Sequence, residues 1–432
     1  MNAHEPNLDI LKPILNLLNN GKIKDAFLVS SKLVIKYPNS AILFNIIGAY
    51  HSGLMNHDNA IQNYKKAIDN NPGYADSYYN LGNELKALEN YDDAIKNYIR
   101  AIEIKPDYAN AFNNLGNAFK DKGNLDAAIE SYKNAIEIKP DYINVKANLI
   151  SLLTGYSPNN MSTNSIISLN EKIRKNYKKN IETNCISDES VIDFINKFEH
   201  DLSSNHFDLK TNLTQAYRRN TLDLNCKRHK SIFNEYEIIP EFCFGCYKVQ
   251  VEPKNLLELI KVFFVFDQIK LKDNNTRKCL IELRPETSGF YKGIVYCSGL
   301  EQANQISKYF DKILFDRIGS RVSCSVKRGC SEYPISFPEY KEINNFGPQI
   351  MNFNQEWKTF EDEHDEKNPT TVHVTKIPTI SGINLSDFLI FRKWIDYAKG
   401  IADPTANLFN VGKISYQEIY NKAKSRGKYF KS

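Results

Sequence analysis

Long hydrophobic runs are missing from this chain. The longest, Val262 to Phe266 in "IKVFFVFDQIK", falls far short of the ~20 residues that span a bilayer, so no membrane-crossing helix is expected. The N-terminus, MNAHEPNLDILKP, lacks the basic region and following apolar segment of a secretory leader. A cytoplasmic protein with reduced thiols is therefore the expectation. A large charge excess is missing too. The net charge of +5 is compatible with acidic partners but too small to demand nucleic acid. No Gly-rich phosphate loop occurs. Cysteine is absent from the whole first part: Cys185, Cys226, Cys243, Cys246, Cys279, Cys297, Cys324 and Cys330 are all of it. That asymmetry divides the chain into two chemically different parts. Its 432 residues exceed what one ordinary core organises, and 42% hydrophobic with 25% charged residues is a globular composition.

What the first part does contain is a period of 34 residues, with copies starting at Ala41, Ala75 and Ala109. Gly recurs as Gly48, Gly82 and Gly116, preceded four residues earlier by Phe44, Tyr78 and Phe112. Ala60, Ala94 and Ala128 follow, then Tyr64, Tyr98 and Tyr132, then Ala67, Ala101 and Ala135, and finally Pro72, Pro106 and Pro140. Each copy shows two amphipathic helical stretches around a short polar turn such as Lys122-Gly123-Asn124. The small residues let two helix backbones approach, the aromatics fill the space beside them, and the proline stops the second helix. These residues resemble the tetratricopeptide repeat (TPR) signature. The resemblance implies an α-helical solenoid over 7–155, with a degraded first copy retaining Ala26 and Pro38 and a last copy broken at Gly155. Terminal copies of a stack are commonly atypical.

First helices line the concave face of such a solenoid. Asn80, Asn114 and Asn148 occupy one repeat position, Asn83 and Asn117 lie three residues on, and Lys86 and Lys120 follow one turn later. Stacking turns that period into a ladder of carboxamides, whose donors and acceptor match those of a peptide bond. The ladder resembles the one in the repeat domain of O-linked N-acetylglucosamine transferases, which implies capture of a peptide or protein partner. The resemblance covers the repeats only. A plainer origin is equally open, because asparagine is plentiful elsewhere, as in "NLLNNGK", "DNNPG" and "SPNNMSTN".

The remainder divides into a helical, polar linker region (156–221), a cysteine-bearing α+β domain (222–338) and a C-terminal extension with helices (339–432). Between residues 246 and 330 the patterns read β-α-β-β-α-β, the order of the split βαβ or ferredoxin-like topology, which hosts unrelated functions. Cys226-x-x-His229 and Cys243-x-x-Cys246 are two tight pairs a dozen or so residues apart, the spacing of a structural zinc site. Gly245 is read there as the residue permitting a sharp turn. Buried free thiols are the alternative. Iron–sulfur spacings are absent, and Cys279, Cys297 and Cys324 fall in strands, where core packing is expected. In "VKRGCSEYP", Lys327 and Arg328 flank Cys330 and could lower its thiol pKa. "FYKGIVYC" lacks the alternating aromatic pair of an RNA-recognition strand. "FEDEHDEKNP" reads as a solvated acidic loop, and "LSDFLIFRKWIDYAKGI" as a helix with Phe391 and Trp394 in the core.

Two functions follow. The first is a non-catalytic adaptor that holds a peptide in the groove. The second is a protein-modifying enzyme whose repeats recruit the substrate. The second requires one pocket gathering Cys330, Lys327, Arg328, Arg284 and Glu286.

Overall fold

The computed structural model describes residues 5–158, 164–181, 185–204, 209–218, 226–284, 287–330, 333–368, 381–412 and 414–429. They form two compact units, one running to Leu152 with 157–164, the other comprising 153–156 and the chain from Ser165 onward. No helix among the described residues is long and apolar enough to cross a membrane.

The first unit is a stack of helices: α1 (Leu8–Asn19), α2 (Ile23–Lys36), α3 (Ala41–Gly53), α4 (His57–Asn70), α5 (Ala75–Ala87), α6 (Tyr91–Ile104), α7 (Ala109–Asp121), α8 (Leu125–Ile138) and α9 (Ile143–Leu152). Each packs on the next. The repeat signature has a direct physical reading. The alanines at 60, 67, 94, 101, 128 and 135 are completely buried. A Cβ built on Gly48, Gly82 or Gly116 would stand 2.6, 2.7 and 2.6 Å from a ring carbon of Tyr64, Tyr98 and Tyr132 respectively, so each glycine is the seat of a tyrosine from the next helix. Asn56, Asn90 and Asn124 start α4, α6 and α8, each side chain accepting a bond from a backbone N–H three residues on. These are N-caps, which satisfy donors the helix itself leaves over. The residue just before each cap takes a left-handed backbone: Met55 (φ 56°), Glu89 (φ 60°) and Gly123 (φ 88°). Only the last is a glycine, the residue that adopts this region without a Cβ penalty.

The second unit opens with α10 (Ser165–Asn180) and α11 (Asp188–Ser204), followed by β1 (Gln215–Arg218), α12 (Cys226–Tyr236), α13 (Glu241–Phe244), β2 (Tyr247–Glu252), α14 (Leu256–Gln268), β3 (Arg277–Ile281), β4 (Tyr291–Cys297), α15 (Leu300–Ile318) and β5 (Ser323–Arg328). Then come α16 (Tyr333–Ser336), α17 (Lys358–Lys367), α18 (Leu385–Gly400) and α19 (Gln417–Tyr429). The five strands form one antiparallel sheet in the order β1-β3-β4-β2-β5. Helices α14 and α15 pack on one face of it, where Val249, Val251, Cys279 and Val295 are buried. Gly293 marks the closest approach: its Cβ would meet Phe266 at 3.0 Å and Val262 at 3.2 Å, both on α14.

Arg218 at the end of β1 is sealed in this unit. Its Nε donates to Asp267 at 2.7 Å, its Nη2 to Asp387 at 2.5 Å, and its guanidinium lies 4.3 Å from the Phe263 ring centroid. Phe391 and Trp394 on α18 are fully buried, as expected. The acidic stretch expected as a loop is instead α17. Arg228 of α12 holds it, contacting Glu361 at 3.0 Å and Asp365 at 2.7 Å, so its charge is partly neutralised by a partner remote in sequence.

Two stability predictions follow from this packing. Gly82→Ala forces a methyl group into the Tyr98 ring and should cost roughly 1–3 kcal/mol, read as an earlier chemical-denaturation midpoint in far-UV circular dichroism; a wild-type midpoint would contradict the glycine seat. Arg218→Met leaves two buried carboxylates without their arginine and should cost about 3–5 kcal/mol, seen as an early change in tryptophan fluorescence of a Trp357→Phe background, where Trp394 is the remaining tryptophan; an unchanged transition would show the Arg218–Asp267–Asp387 cluster to be dispensable.

Candidate functional site

Both units present a candidate surface. In the solenoid, Asn45, Asn80, Asn83, Asn113, Asn114, Asn117 and Asn148 of the first helices are half-buried and bond from repeat to repeat. Asn80 Nδ2 donates to Asn45 Oδ1 at 3.0 Å, and Asn114 Nδ2 donates to Asn83 Oδ1 at 2.8 Å and to the Tyr79 hydroxyl at 3.1 Å. Asn148 Nδ2 donates to Asn113 Oδ1 at 3.0 Å and to Asn117 Oδ1 at 3.4 Å. Tyr98 and Tyr132 donate from the second helices to Asn83 and Asn117, both at 2.8 Å. The carboxamide columns are thus a side-chain stitch between neighbouring repeats.

That stitch consumes some valences and leaves others. The Oδ1 atoms of Asn83 and Asn117 each take two donors, which fills both lone pairs. Their Nδ2 groups have no partner among the described residues, nor do the Oδ1 atoms of Asn80 and Asn148. The NH2 of Asn114 is fully used, and its Oδ1 accepts from Asn113 at 3.0 Å. Lys86 and Lys120 converge on Asp121, at 3.3 and 3.7 Å, so part of their charge is answered within the solenoid. Sequence reasoning left Asn45, Tyr79 and Asn113, which share one repeat position, out of the binding columns. It also missed the caps Asn56, Asn90 and Asn124, although their 34-residue recurrence was there to be read.

In the second unit the two predicted metal-ligand pairs lie on α12 and around α13, and Cys243, Cys246 and Cys330 are close enough to Cys226 for their charges to raise its thiol. Among the described residues no three His, Cys, Asp or Glu side chains are disposed to hold a metal ion. His229 lies buried on α12, its ring stacked against Phe242 with centroids 5.2 Å apart. Cys243 on α13 sits with its sulfur 3.3 Å from the Tyr333 hydroxyl, and burial pushes its thiol up to about 12. Burial also raises Cys246. Cys226 is raised first by a hydrogen bond with Cys330 and then by its own burial, so these two thiols meet across a long stretch of sequence. Gly245, expected to permit the turn between Cys243 and Cys246, has φ −92°, which any residue adopts. The glycine that matters is Gly329, with φ +55° and the Tyr340 hydroxyl only 2.0 Å from where a Cβ would be. Its N–H donates to the Cys246 carbonyl at 2.7 Å, closing β5 against β2 and presenting Cys330.

The sheet face away from α14 and α15 is the floor of a cavity of ≈740 Å³. Directly paired residues share a face, so Lys248 with Lys327 on β2 and β5, and Lys278 with Ile294 on β3 and β4, point the same way. Cys226, Phe233, Tyr333 and Lys341 line it from α12, α16 and the short helix Pro338–Lys341. Cys330, Lys327, Arg328 and Arg284, grouped from sequence as the requirement of an enzyme, all line this cavity; Glu286 lies outside the described residues. Arg328 is buried beneath the rings of Phe244 and Tyr340, donating to the Met351 carbonyl at 2.9 Å. The carboxylate on the lining is Glu282. Burial would raise it, but hydrogen bonds from Arg284 (2.9 Å) and Lys292 (2.7 Å) outweigh burial and hold it down at about 2. Lys278 is pushed down to about 8, first by burial and next by the charge of Lys248.

The matching family models fall within the first unit. Family models described as "Tetratricopeptide repeat" match residues 63–96 and 109–142, and one described as "TPR repeat" matches 82–123. A solved structure titled "Crystal structure of MamA" is 31% identical, covering 30% of this chain and 77% of its own, with a TM-score of 0.28. MamA from Desulfovibrio magneticus RS-1 is 19% identical, covering 33% and 81%, with a TM-score of 0.31. The first TPR of Spaghetti (RPAP3), solved bound to the HSP90 peptide SRMEEVD, is 20% identical, covering 26% and 90%, with a TM-score of 0.26. No curated protein matches the chain. With the glycine–tyrosine seats and the 34-residue period, the family matches identify residues 63–142 of this chain as tetratricopeptide repeats.

Proposed function

We propose that the solenoid is a protein-interaction module that captures an extended segment of a partner protein along the concave row of asparagines. The observation that carries this reading is the set of amide valences left after the repeats have stitched themselves together. Asn83 and Asn117 keep NH2 donors, and Asn80 and Asn148 keep carbonyl acceptors, all half-buried on first helices at the repeat period. A peptide backbone offers the complementary acceptors and donors. Each such bond contributes only about 0.5–1.5 kcal/mol net, so the groove favours a partner spanning several repeats. Lys86 and Lys120 add charge for an acidic residue of the partner, in competition with Asp121.

A second reading is favoured by the cavity of the second unit. It brings Cys330, Lys327, Arg328 and Arg284 together, which fits a modifying activity directed at the captured partner. The element order β2-α14-β3-β4-α15-β5 and the sheet order β3-β4-β2-β5 support reading that part as a split βαβ unit with β1 added at one edge.

The groove is tested by selecting unstructured peptides from a display library against the full chain. Binders are then compared on wild type and on the Asn83→Asp/Asn117→Asp double variant. Aspartate keeps the oxygen that Tyr98, Asn114, Tyr132 and Asn148 use and replaces the spare NH2 with a second, negatively charged oxygen that can only accept. Loss of two donors should weaken binding by roughly 1–3 kcal/mol, about five- to more than a hundredfold, with the melting temperature unchanged. Selected peptides that bind both proteins equally would overturn the proposal.

A further inference from the structure

We propose that the cavity on the sheet face opposite α14 and α15 is a binding site for a small organic phosphate of nucleotide size. The inference is independent of the groove, since every lining residue belongs to the second unit.

The charge pattern is the first reason. A polar sheet face exposed to water ordinarily places opposite charges across neighbouring strands, because like charges directly opposed are destabilising. Here Lys248 faces Lys327 in direct register, and Lys278 and Lys292 stand on the next strands of the same face. Arg284 and Lys341 add cations on the walls. Against them the lining offers one carboxylate among the described residues, Glu282, already shared by Arg284 and Lys292, while Lys327 also reaches Glu252, off the lining, at 3.7 Å. Lys248 and Lys341 have no ion-pair partner among the described residues. Lys278 donates to Gln215 at 2.9 Å and lies 5.3 and 5.6 Å from the ring centroids of Tyr217 and Tyr296; these partners are neutral. Burial and Lys248 therefore press it toward losing its proton, and a bound anion would relieve that pressure.

Shape is the second reason. A volume of ≈740 Å³ lies within the range of small-molecule pockets, which bury most of a ligand and join an apolar wall to a few convergent polar groups. Phe233, Leu280, Ile294, Tyr296 and Tyr333 supply apolar and aromatic wall, enough for a ring beside the phosphates. Residues of α12 and α16 on the lining make this a pocket rather than the open face a nucleic-acid strand would cross. No backbone phosphate loop is involved. The phosphate oxygens would be held by lysine ammonium groups, as compact point charges.

The test titrates the full chain at low salt with ATP, pyrophosphate, adenosine and a decauridine oligonucleotide, read by calorimetry. ATP should bind, pyrophosphate more weakly and adenosine without detectable heat. Lys248→Met/Lys278→Met should lose about tenfold or more of the ATP affinity, the worth of one charged hydrogen bond, while Lys422→Met on α19 leaves it unchanged. A second readout needs no variant: ATP should raise the melting temperature of the full chain, and adenosine should not. Absence of ATP binding, affinity unchanged in the double lysine variant, a melting temperature that ATP leaves unmoved, or a tighter fit to decauridine than to ATP would each overturn the proposal.

Discussion

Each second helix of the repeats lays a tyrosine ring on a glycine of the helix before it, and the solenoid depends on that contact. At Gly48, Gly82 and Gly116 there is no room for even a methyl group, so the helix pair closes to a separation that only glycine allows. Close approach brings the first helices of successive repeats into hydrogen-bonding reach of one another. The tyrosine hydroxyls of Tyr98 and Tyr132 then reach through the pair to Asn83 and Asn117. One steric constraint therefore sets the spacing, the burial of the paired alanines and the alignment of the carboxamide columns. Asparagine, a weak helix former because its amide competes for local backbone bonds, is tolerated here because its amide is engaged in the neighbouring repeat.

The second unit is built on a different constraint, a sheet that must bury one face and not the other. Strand alternation puts Val249, Val251, Cys279 and Val295 against α14 and α15, and this forces Lys248, Lys278 and Lys292 onto the opposite face. In an open sheet those lysines would be unremarkable surface charge. They become consequential because α12 and α16 rise beside that face and enclose it. The same enclosure brings Cys226 to Cys330. Two thiols and a field of cations with one carboxylate then share a cavity that neither the strands nor the helices would make alone.

How much of this could be read in the chain beforehand depended on range. The repeats were legible because their information is local and recurs: a glycine, an aromatic and a proline at fixed offsets state the same helix pair three times. Strands β2 to β5 and helices α14 and α15 were legible from hydrophobic period. Partnerships across long separations were not. Cys330 could not be assigned to Cys226 from spacing, and the CxxH and CxxC spacing gave no sign that His229 would stack on Phe242. The acidic stretch around Glu361 looked like a loop because Arg228, its neutralising partner, lies far earlier in the chain. The asparagine columns were visible, but their mutual bonding was not, since it depends on the separation of the first helices.

The central claim is that the groove keeps unused amide valences at Asn83 and Asn117 for a partner's backbone. Nuclear magnetic resonance of asparagine-labelled protein, titrated with a peptide it binds, observes those side-chain NH2 groups directly. The account predicts that the Asn83 and Asn117 NH2 signals shift and gain protection from solvent exchange, while that of Asn114, already saturated, barely moves. Shifts confined to the second helices α4, α6 and α8, with both NH2 signals unmoved, would contradict it.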